Sequence, residues 1–186
     1  MLLLNPFLVL PAGGGPVSLA SVWNAADADA DIVLSGADKT ATITAAHGAV
    51  RSTTARNAAG NWYAHGTAGG DDGTQLIGIA TGAADITHFP GFDSLGYGYY
   101  GTGAQFYNNV IGSAYGATWT AGDQIGVQLK AGELIFFKNG VSQGVAVSGL
   151  SGNFYLMWGP GTGGAGTRSF TLASSVTLPS GASAWD

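Results

Sequence analysis

The sequence predicts an all-β protein that forms one domain, built as a sandwich or barrel of antiparallel strands. Short runs of alternating apolar and polar residues are separated by Gly, Asn and Asp clusters at spacings of roughly 8–12 residues. No segment keeps the apolar spacing of an amphipathic helix. The 186 residues suffice for a single hydrophobic core. With no cysteine in the chain, disulfides and thiolate-metal sites are excluded.

The strongest strand signal lies in residues 124–147. Ile125, Val127 and Leu129 alternate with polar residues and glycine, so they point to one face of a strand. The pair Asn139-Gly140 favours a type I′ hairpin turn, because both central positions of that turn need positive φ. We predict a three-stranded antiparallel meander here. Further strands are predicted near residues 17–23, 40–44, 49–55, 61–67, 75–80, 95–100, 104–108, 153–158 and 168–178.

Charge excludes two classes of partner. Six Lys and Arg residues stand against eleven Asp and Glu residues, which gives a formal net charge of -5. A nucleic-acid site needs clustered basic residues, as does a polybasic membrane patch. No apolar window reaches the length of about 20 residues that spans a bilayer. We therefore predict neither nucleic-acid binding nor membrane insertion.

The surface must be poor in charge, because only 9% of the residues are charged while 46% are hydrophobic. Part of it is expected to contact neighbouring subunits of a homo-oligomer; a monomer with a Thr- and Gly-rich surface is an equal alternative. Residues 1–16 form an apolar N-terminal arm with a Gly/Pro linker, and residues 17–186 form the domain. The arm packs either on its own domain or on a neighbour.

A family resemblance rests on four motifs. Residues 96–109 form a Gly/Tyr-rich strand ending in a small polar turn, and residues 115–116 read Tyr-Gly. Residues 122–127 read Gly-Asp-Gln-Ile-Gly-Val, and residues 136–140 read Phe-Phe-Lys-Asn-Gly. In this order the motifs resemble the SPRY domain, and the resemblance covers roughly residues 30–178. Alternate glycines in residues 96–101 indicate that the facing sheet or a bulky side chain approaches this strand closely.

The resemblance implies a two-sheet antiparallel β-sandwich, related to concanavalin-like jelly rolls, that binds through its loops. The segments Leu34-Ser35-Gly36 and Tyr115-Gly116-Ala117-Thr118 are similar to those of SPRY-type domains in bacteriophage structural proteins. Two positions depart from the family pattern. The strand after Trp62-Tyr63 usually carries an acidic residue but reads Ala64-His65 here, and the usual Asp-rich turn before the last hairpin is Lys130-Ala131-Gly132. A ligand site therefore does not transfer from the family.

The residues argue against an enzyme. Glycoside hydrolysis, the reaction to consider on a concanavalin-like sandwich, needs two carboxyl groups about 5–9 Å apart. Glu133 is the only glutamate, and nothing in the sequence pairs convincingly with Asp85 or Asp93. The Gly-x-Gly-x-x-Gly pattern at residues 96–101 leads into an extended run, whereas a dinucleotide site needs a helix there. We predict no catalytic residue and no cofactor.

A metal site is not expected either. The three histidines, His47, His65 and His88, lack metal-ligand spacing and are expected to lie on the surface or in loops. Asp27, Asp29 and Asp31 resemble the opening of a calcium loop, but Ile32 and Asp38 stand where that loop needs Gly and Glu. The alternative for these aspartates is the polar face of an edge strand.

Loops are the better candidates for a binding surface. The longest irregular stretches are expected at residues 67–74, 82–95 and 159–167. The ligand-binding residues that we predict in the first two are Asp71, Asp72, His88, Phe92 and Asp93. The alternative for all three stretches is that they only connect strands and bind nothing.

Resemblance, arm and surface together predict a bacteriophage virion component on the outside of the particle, tail-associated or capsid-decorating. As a non-catalytic module it would bind other virion proteins or a host-surface carbohydrate during attachment. The alternative is a free lectin-like or peptide-binding adaptor domain.

Overall fold

The computed structural model describes residues 15–70, 74–102, 104–107, 110–161 and 166–186, with backbone alone for 104–107 and 110–113. No helix occurs in these ranges. The strands, in chain order, are β1 (Val17–Ser18), β2 (Trp23–Ala28), β3 (Val33–Ser35), β4 (Thr40–Ile43), β5 (Val50–Asn57), β6 (Asn61–Gly70), β7 (Gln75–Ala80), β8 (Gly96–Tyr100), β9 (Ala104–Tyr107), β10 (Val110–Ala114), β11 (Gln124–Lys130), β12 (Glu133–Lys138), β13 (Val141–Val147), β14 (Asn153–Pro160), β15 (Arg168–Leu172), β16 (Ser175–Val176) and β17 (Ser183–Ala184).

Two large sheets form a sandwich, as predicted. The seven-stranded sheet has the order β10-β9-β8-β7-β14-β5-β2, and the eight-stranded sheet has the order β13-β12-β11-β6-β15-β4-β3 with β17 added beside β6. Every neighbouring pair is antiparallel except β17 with β6. The short strands β1 and β16 pair with each other outside both sheets. The predicted all-β sandwich is confirmed.

The predicted meander is also confirmed. Lys130 pairs with Glu133 across the turn between β11 and β12, and Lys138 pairs with Val141 across the turn between β12 and β13. Asn139 and Gly140 have φ of 50° and 80°, as a type I′ turn requires. The two turns therefore set the pairing of the three strands next to them, while the register of β12 with β13 shifts between Leu134 and Phe137.

The core lies between the sheets and is rich in aromatic side chains. Its residues come from both layers at the alternate positions of each strand, so the period-two pattern of the sequence has sorted them. The largest fully buried aromatic side chains are Trp23, Trp119, Trp158, Trp185, Tyr99, Phe136 and Phe170. A smaller cluster on the other side of the seven-stranded sheet contains Ala49, Ala80, Ala84 and Met157.

Several predicted boundaries were wrong. The single strand expected at 17–23 is divided between β1 and β2, and the one expected at 168–178 is divided between β15 and β16. The stretch 67–74 is not irregular throughout, because β6 continues to Gly70. Likewise, Gly159 and Pro160 belong to β14. Two-residue strands carry too little alternation to be recognised from sequence.

The predicted N-terminal arm, residues 1–16, lies outside the described residues except for Gly15 and Pro16. Within the described ranges, no helix is long and apolar enough to cross a membrane.

Candidate functional site

The segment between β7 and β8, residues 81–95, is called the β7–β8 loop. The backbone N–H of Thr81 donates to the carbonyl of Leu95 at 2.9 Å, which closes the ends of the loop. A side chain on Gly98 of β8 would collide with the Pro90 carbonyl, and one on Gly96 would come within 3.0 Å of the Gly91 nitrogen. Glycine at these alternate positions therefore lets the loop lie directly on β8.

An ion pair between a buried arginine and a partly exposed aspartate anchors the loop to the sheet. Arg51 of β5 binds both carboxylate oxygens of Asp27 in β2, with two contacts of 2.7 Å. Its remaining N–H groups donate to the carbonyls of Ala84 at 2.7 Å and Thr81 at 3.2 Å. A planar guanidinium with several donors suits this arrangement, since it can pair a carboxylate and bind loop carbonyls simultaneously.

Two aspartates shape the loop itself. Asp93 accepts hydrogen bonds from the backbone N–H groups of Asp85 and Leu95, both at 2.9 Å. Asp85 accepts from the Thr87 hydroxyl at 2.7 Å and from its N–H at 2.8 Å. These bonds, the hydroxyl first, lower the pKa of the Asp85 carboxyl below its ordinary value. Hydrogen bonds within the loop therefore hold its backbone in one conformation.

On this frame two rings form an apolar plate. The rings of His88 and Phe92 are stacked, with centroids 3.7 Å apart and an angle of 9° between their planes. Phe89 lies buried beneath, edge-on to Phe92 at 5.6 Å. Phe92 and Leu95 keep 38% of their surface exposed. Large exposed apolar groups on a rigid support are typical of an interaction surface.

His47, in the segment before β5, extends the plate. Its ring centroid lies 5.5 Å from that of His88. The backbone of the two segments is joined next to it, because the N–H of Ala49 donates to the carbonyl of Ile86 at 2.7 Å. We call the set His47, Asp85, His88, Phe92 and Leu95 the loop surface.

The chemistry of this set suits binding rather than catalysis. Asp85, Thr87 and His88 superficially combine the residue types of a hydrolase triad, but Asp85 and Thr87 both contact Nδ1 of the His88 ring, at 3.0 and 2.9 Å. A triad needs the acid and the nucleophile on opposite ring nitrogens. The three residues lie within one turn and form a local hydrogen-bonded cluster instead.

The structure treats the predicted ligand residues differently. It brings His88 and Phe92 together at the exposed surface, whereas it turns Asp93 towards backbone N–H groups of its own loop. Asp71 and Asp72 lie outside the described residues. Sequence reasoning missed the contribution of His47, which lies about 40 residues away and gave no local signal.

The possible calcium loop is not assembled. Both carboxylate oxygens of Asp27 bind Arg51, and Asp29 accepts from the Asp31 backbone N–H at 2.9 Å. Asp27 belongs to β2, an edge strand of the seven-stranded sheet, as the alternative predicted, whereas Asp29 and Asp31 lie after the end of this strand. Among the described residues no group of three potential ligands could hold a metal ion.

The fold is shared with solved SPRY structures. The SPRY domain of human HERC1 matches with a TM-score of 0.70 over 82% of this chain and 97% of that chain, at 14% identity. A human SPRY domain matches with a TM-score of 0.63 over 80% of this chain and 98% of that chain, at 19% identity. These likenesses establish the architecture.

Several sequence relatives are animal proteins. Ran-binding protein 9 of Xenopus tropicalis is 39% identical over 89 residues, which are 46% of this chain and 16% of that protein. The human Ran-binding protein 9 is 38% identical over 46% of this chain and 12% of that protein. The match thus spans a sixth or less of the length of these relatives.

These relatives overturn the bacteriophage interpretation. The expected virion location, the virion protein partners and the role in host attachment were wrong, because the relatives are eukaryotic Ran-binding proteins. The short segments that carried this expectation, around residues 34–36 and 115–118, are too brief to distinguish one branch of a family from another. The alternative of an adaptor domain agrees better with the relatives.

One family model spans more than half of the chain. It is described as the SPRY domain and matches residues 61–172, from the start of β6 to the end of β15. The four sequence motifs lie inside this range. The chain belongs to the SPRY domain family.

Proposed function

We propose that this chain is a non-catalytic adaptor domain that binds a peptide segment of a partner protein at the loop surface. SPRY domains are generally protein-interaction modules, and the chain's membership in that family supports an interaction role. The observation that carries the proposal is the exposed stack of His88 on Phe92, held on a loop that Arg51 anchors.

The surface favours a particular kind of peptide. The exposed rings offer a contact for an apolar or aromatic side chain, since such side chains dominate the energetics of protein interfaces. Asp85 adds a carboxylate next to the plate, and the chain carries a net charge of -5. A segment with an apolar anchor and a neighbouring Lys or Arg has the complementary chemistry.

The test is a selection followed by an affinity measurement. Peptides that bind the full chain are selected from a random dodecapeptide library displayed on yeast, and their Kd values are measured by fluorescence polarisation. We expect Phe92→Ala to weaken binding at least tenfold, which corresponds to about 1.4 kcal/mol. Ran is included as a purified partner, because the relatives carry its name.

The matched control is Val145→Ala, which removes an exposed apolar side chain from β13 of the other sheet. Its affinity for the selected peptides should equal that of the wild type. Peptides that bind the Phe92→Ala variant as tightly as the wild type would remove the loop surface from consideration.

A further inference from the structure

A second surface lies on the outer face of the eight-stranded sheet, away from the loop surface. His65 in β6, Gly126 in β11 and Phe137 in β12 occupy one row across three strands, because Gly126 pairs with both of the others. Directly paired residues share a face of the sheet. Phe136 points into the core, so Phe137 and its row point outward.

Gly126 creates the room for a third ring. A side chain at Gly126 would collide with the hydroxyl and ring of Tyr63, so the ring of Tyr63 lies across this glycine. It is nearly perpendicular to His65, with centroids 5.9 Å apart, and to Phe137, with centroids 5.4 Å apart. The result is a Tyr63 floor between two aromatic walls.

These rings line a groove with a volume of about 490 Å³. That volume is within the range of about 300–1,000 Å³ of ligand pockets. The opposite wall is the segment after β15, represented by Ser175, Thr177, Leu178 and Pro179, with Pro16 at the rim. We call this the aromatic groove.

The hydrogen-bonding groups of the groove are neutral. Burial lowers the pKa of His65 and raises the pKa of Tyr63 to about 12, so at neutral pH the imidazole is uncharged and the phenol keeps its proton. The side-chain nitrogens of Gln124 and His65 lie 3.3 Å apart. Because an amide nitrogen only donates, that imidazole nitrogen accepts and the other one carries the proton. No lining residue among the described ones carries a charge.

We propose that the aromatic groove binds a proline-rich segment of a partner protein in the polyproline II conformation. Proline rings pack on aromatic side chains, and the groove supplies three of them. Consecutive prolines present carbonyl acceptors without any N–H donor, which suits a surface of Tyr63, Gln124, Ser175 and Thr177 donors. Such a ligand is uncharged, as is the lining, and it loses little conformational entropy on binding.

The aromatic groove is separate from the loop surface, so an experiment can refute either proposal without refuting the other. The probe is acetylated and amidated octaproline, titrated into the full-length chain while NMR follows the Gln124 side-chain amide and the His65 ring. An octapeptide of alternating Gly and Ser is the control ligand. We expect saturable shifts at these two residues with octaproline and none with the control.

Two variants test the rings. Phe137→Leu keeps apolar volume and removes the aromatic wall; Gly126→Ala displaces the Tyr63 floor. Each should weaken octaproline binding about tenfold or more, whereas Phe92→Ala and Val145→Ala should not change it. Two independent variants protect the test against the failure of one to fold.

Several outcomes would overturn the proposal. One is the lack of shifts with octaproline, and another is shifts confined to residues 81–95. Nuclear Overhauser contacts of the Phe137 ring with residues 1–14 would show that the chain's own Leu- and Pro-containing segment is the occupant. Movement of the groove signals on dilution of the protein alone would indicate a second copy.

Discussion

The two sheets of the sandwich each have a segment that leaves the strand pattern, and the two segments are held in different ways. The β7–β8 loop lies on the seven-stranded sheet and is anchored by an ion pair and by side-chain hydrogen bonds. Residues 173–182, which we call the C-terminal excursion, leave the eight-stranded sheet between two points where the main chain bonds to β6. These are Ala173 N to His65 O at 3.0 Å and Trp185 N to Tyr63 O at 2.9 Å.

This difference distinguishes the two proposed binding surfaces of the fold. Polar contacts anchor the β7–β8 loop while its Phe89 packs inward, so the stacked rings of His88 and Phe92 remain at the surface. The C-terminal excursion is anchored instead by the apolar side chain of Trp185, which is fully buried. The groups that this segment contributes to the wall of the aromatic groove are neutral. We expect substitutions in the two anchors to differ in how much free energy of unfolding they cost, in how much of the structure they affect and in how their effects depend on pH.

Trp185→Ala should have the largest effect. The indole is fully buried between the sheets, and its N–H donates to the Thr54 carbonyl at 3.1 Å. Truncation of a buried aromatic side chain costs about 3–5 kcal/mol. Urea unfolding should show a loss of this size, and Trp185→Phe, which keeps a ring, should lose less. A change within about 0.5 kcal/mol, as for a surface substitution, would contradict the apolar anchor.

Arg51→Leu should come next and act more locally. Removal of one partner from a fully buried ion pair costs about 3–5 kcal/mol; here we expect about 2–3 kcal/mol, because Asp27 remains 25% exposed. Amide hydrogen exchange should accelerate at Ala49 and Thr81, whose N–H groups bond within or to the β7–β8 loop.

The Trp185 amide serves as the internal control for this variant, since it belongs to the other anchor. Equal acceleration at Trp185 would show that the two segments unfold together, and the comparison between them would then be lost.

Gly98→Ala should have the next largest effect on stability. The added methyl group would meet the Pro90 carbonyl and approach the Leu76 side chain within 2.9 Å, so the loop must move away from β8. Overpacking of this kind costs about 1–3 kcal/mol. Gly82→Ala in the same loop is the matched control, because its methyl group finds only the Tyr155 ring, at 3.4 Å. Thermal unfolding should separate the two variants.

These anchors also show what the sequence could and could not predict. Strand β7 has its predicted bounds, and β11, β12 and β13 fill the meander predicted over residues 124–147, because neighbouring residues determine them. Close approach to Gly98 was predicted from the facing sheet or a bulky side chain, whereas the nearest group is the Pro90 carbonyl of the β7–β8 loop. Arg51 and Asp27 escaped prediction, since their pairing depends on strands 24 residues apart coming together.

For the candidate sites too, residues that are neighbours in sequence could be predicted, and residues brought together by strand pairing could not. His88 and Phe92 lie in one loop, so composition and loop length were enough to select them. The aromatic groove was missed, although half of its row follows from the predicted hairpin: the turn at Ala131-Gly132 places Phe137 opposite Gly126. His65 joins them only through the pairing of β6 with β11, which no local pattern determines.

His65→Gln should reveal a pH dependence of the groove side. Burial lowers the pKa of His65 in the folded state. Its neutral form therefore stabilises the fold above the unfolded pKa of about 6.5, and this contribution is lost as the pH falls through the lower folded pKa. Urea unfolding between pH 7 and 5 should show a decline in wild type that is smaller in the variant. Identical slopes would assign the decline to other groups.

Thr87→Val should have the smallest effect, confined to the loop and to a more acidic range. The Thr87 hydroxyl is the largest cause of the lowered pKa of Asp85, so its removal should raise that pKa towards about 3.9. A carboxylate with a lowered folded pKa stabilises the protein above its unfolded pKa and loses that contribution as the pH falls through the folded value. The wild type should therefore be more stable than the variant down to about pH 4, and the difference in stability should disappear below that pH. Carbon-13 NMR titration of the Asp85 carboxyl measures the shift directly, and an unchanged titration would mean that the hydroxyl does not hold this carboxylate in solution. Because the unfolded pKa of histidine lies above that of aspartate, the two variants together assign one acid transition to the groove side and the other to the β7–β8 loop.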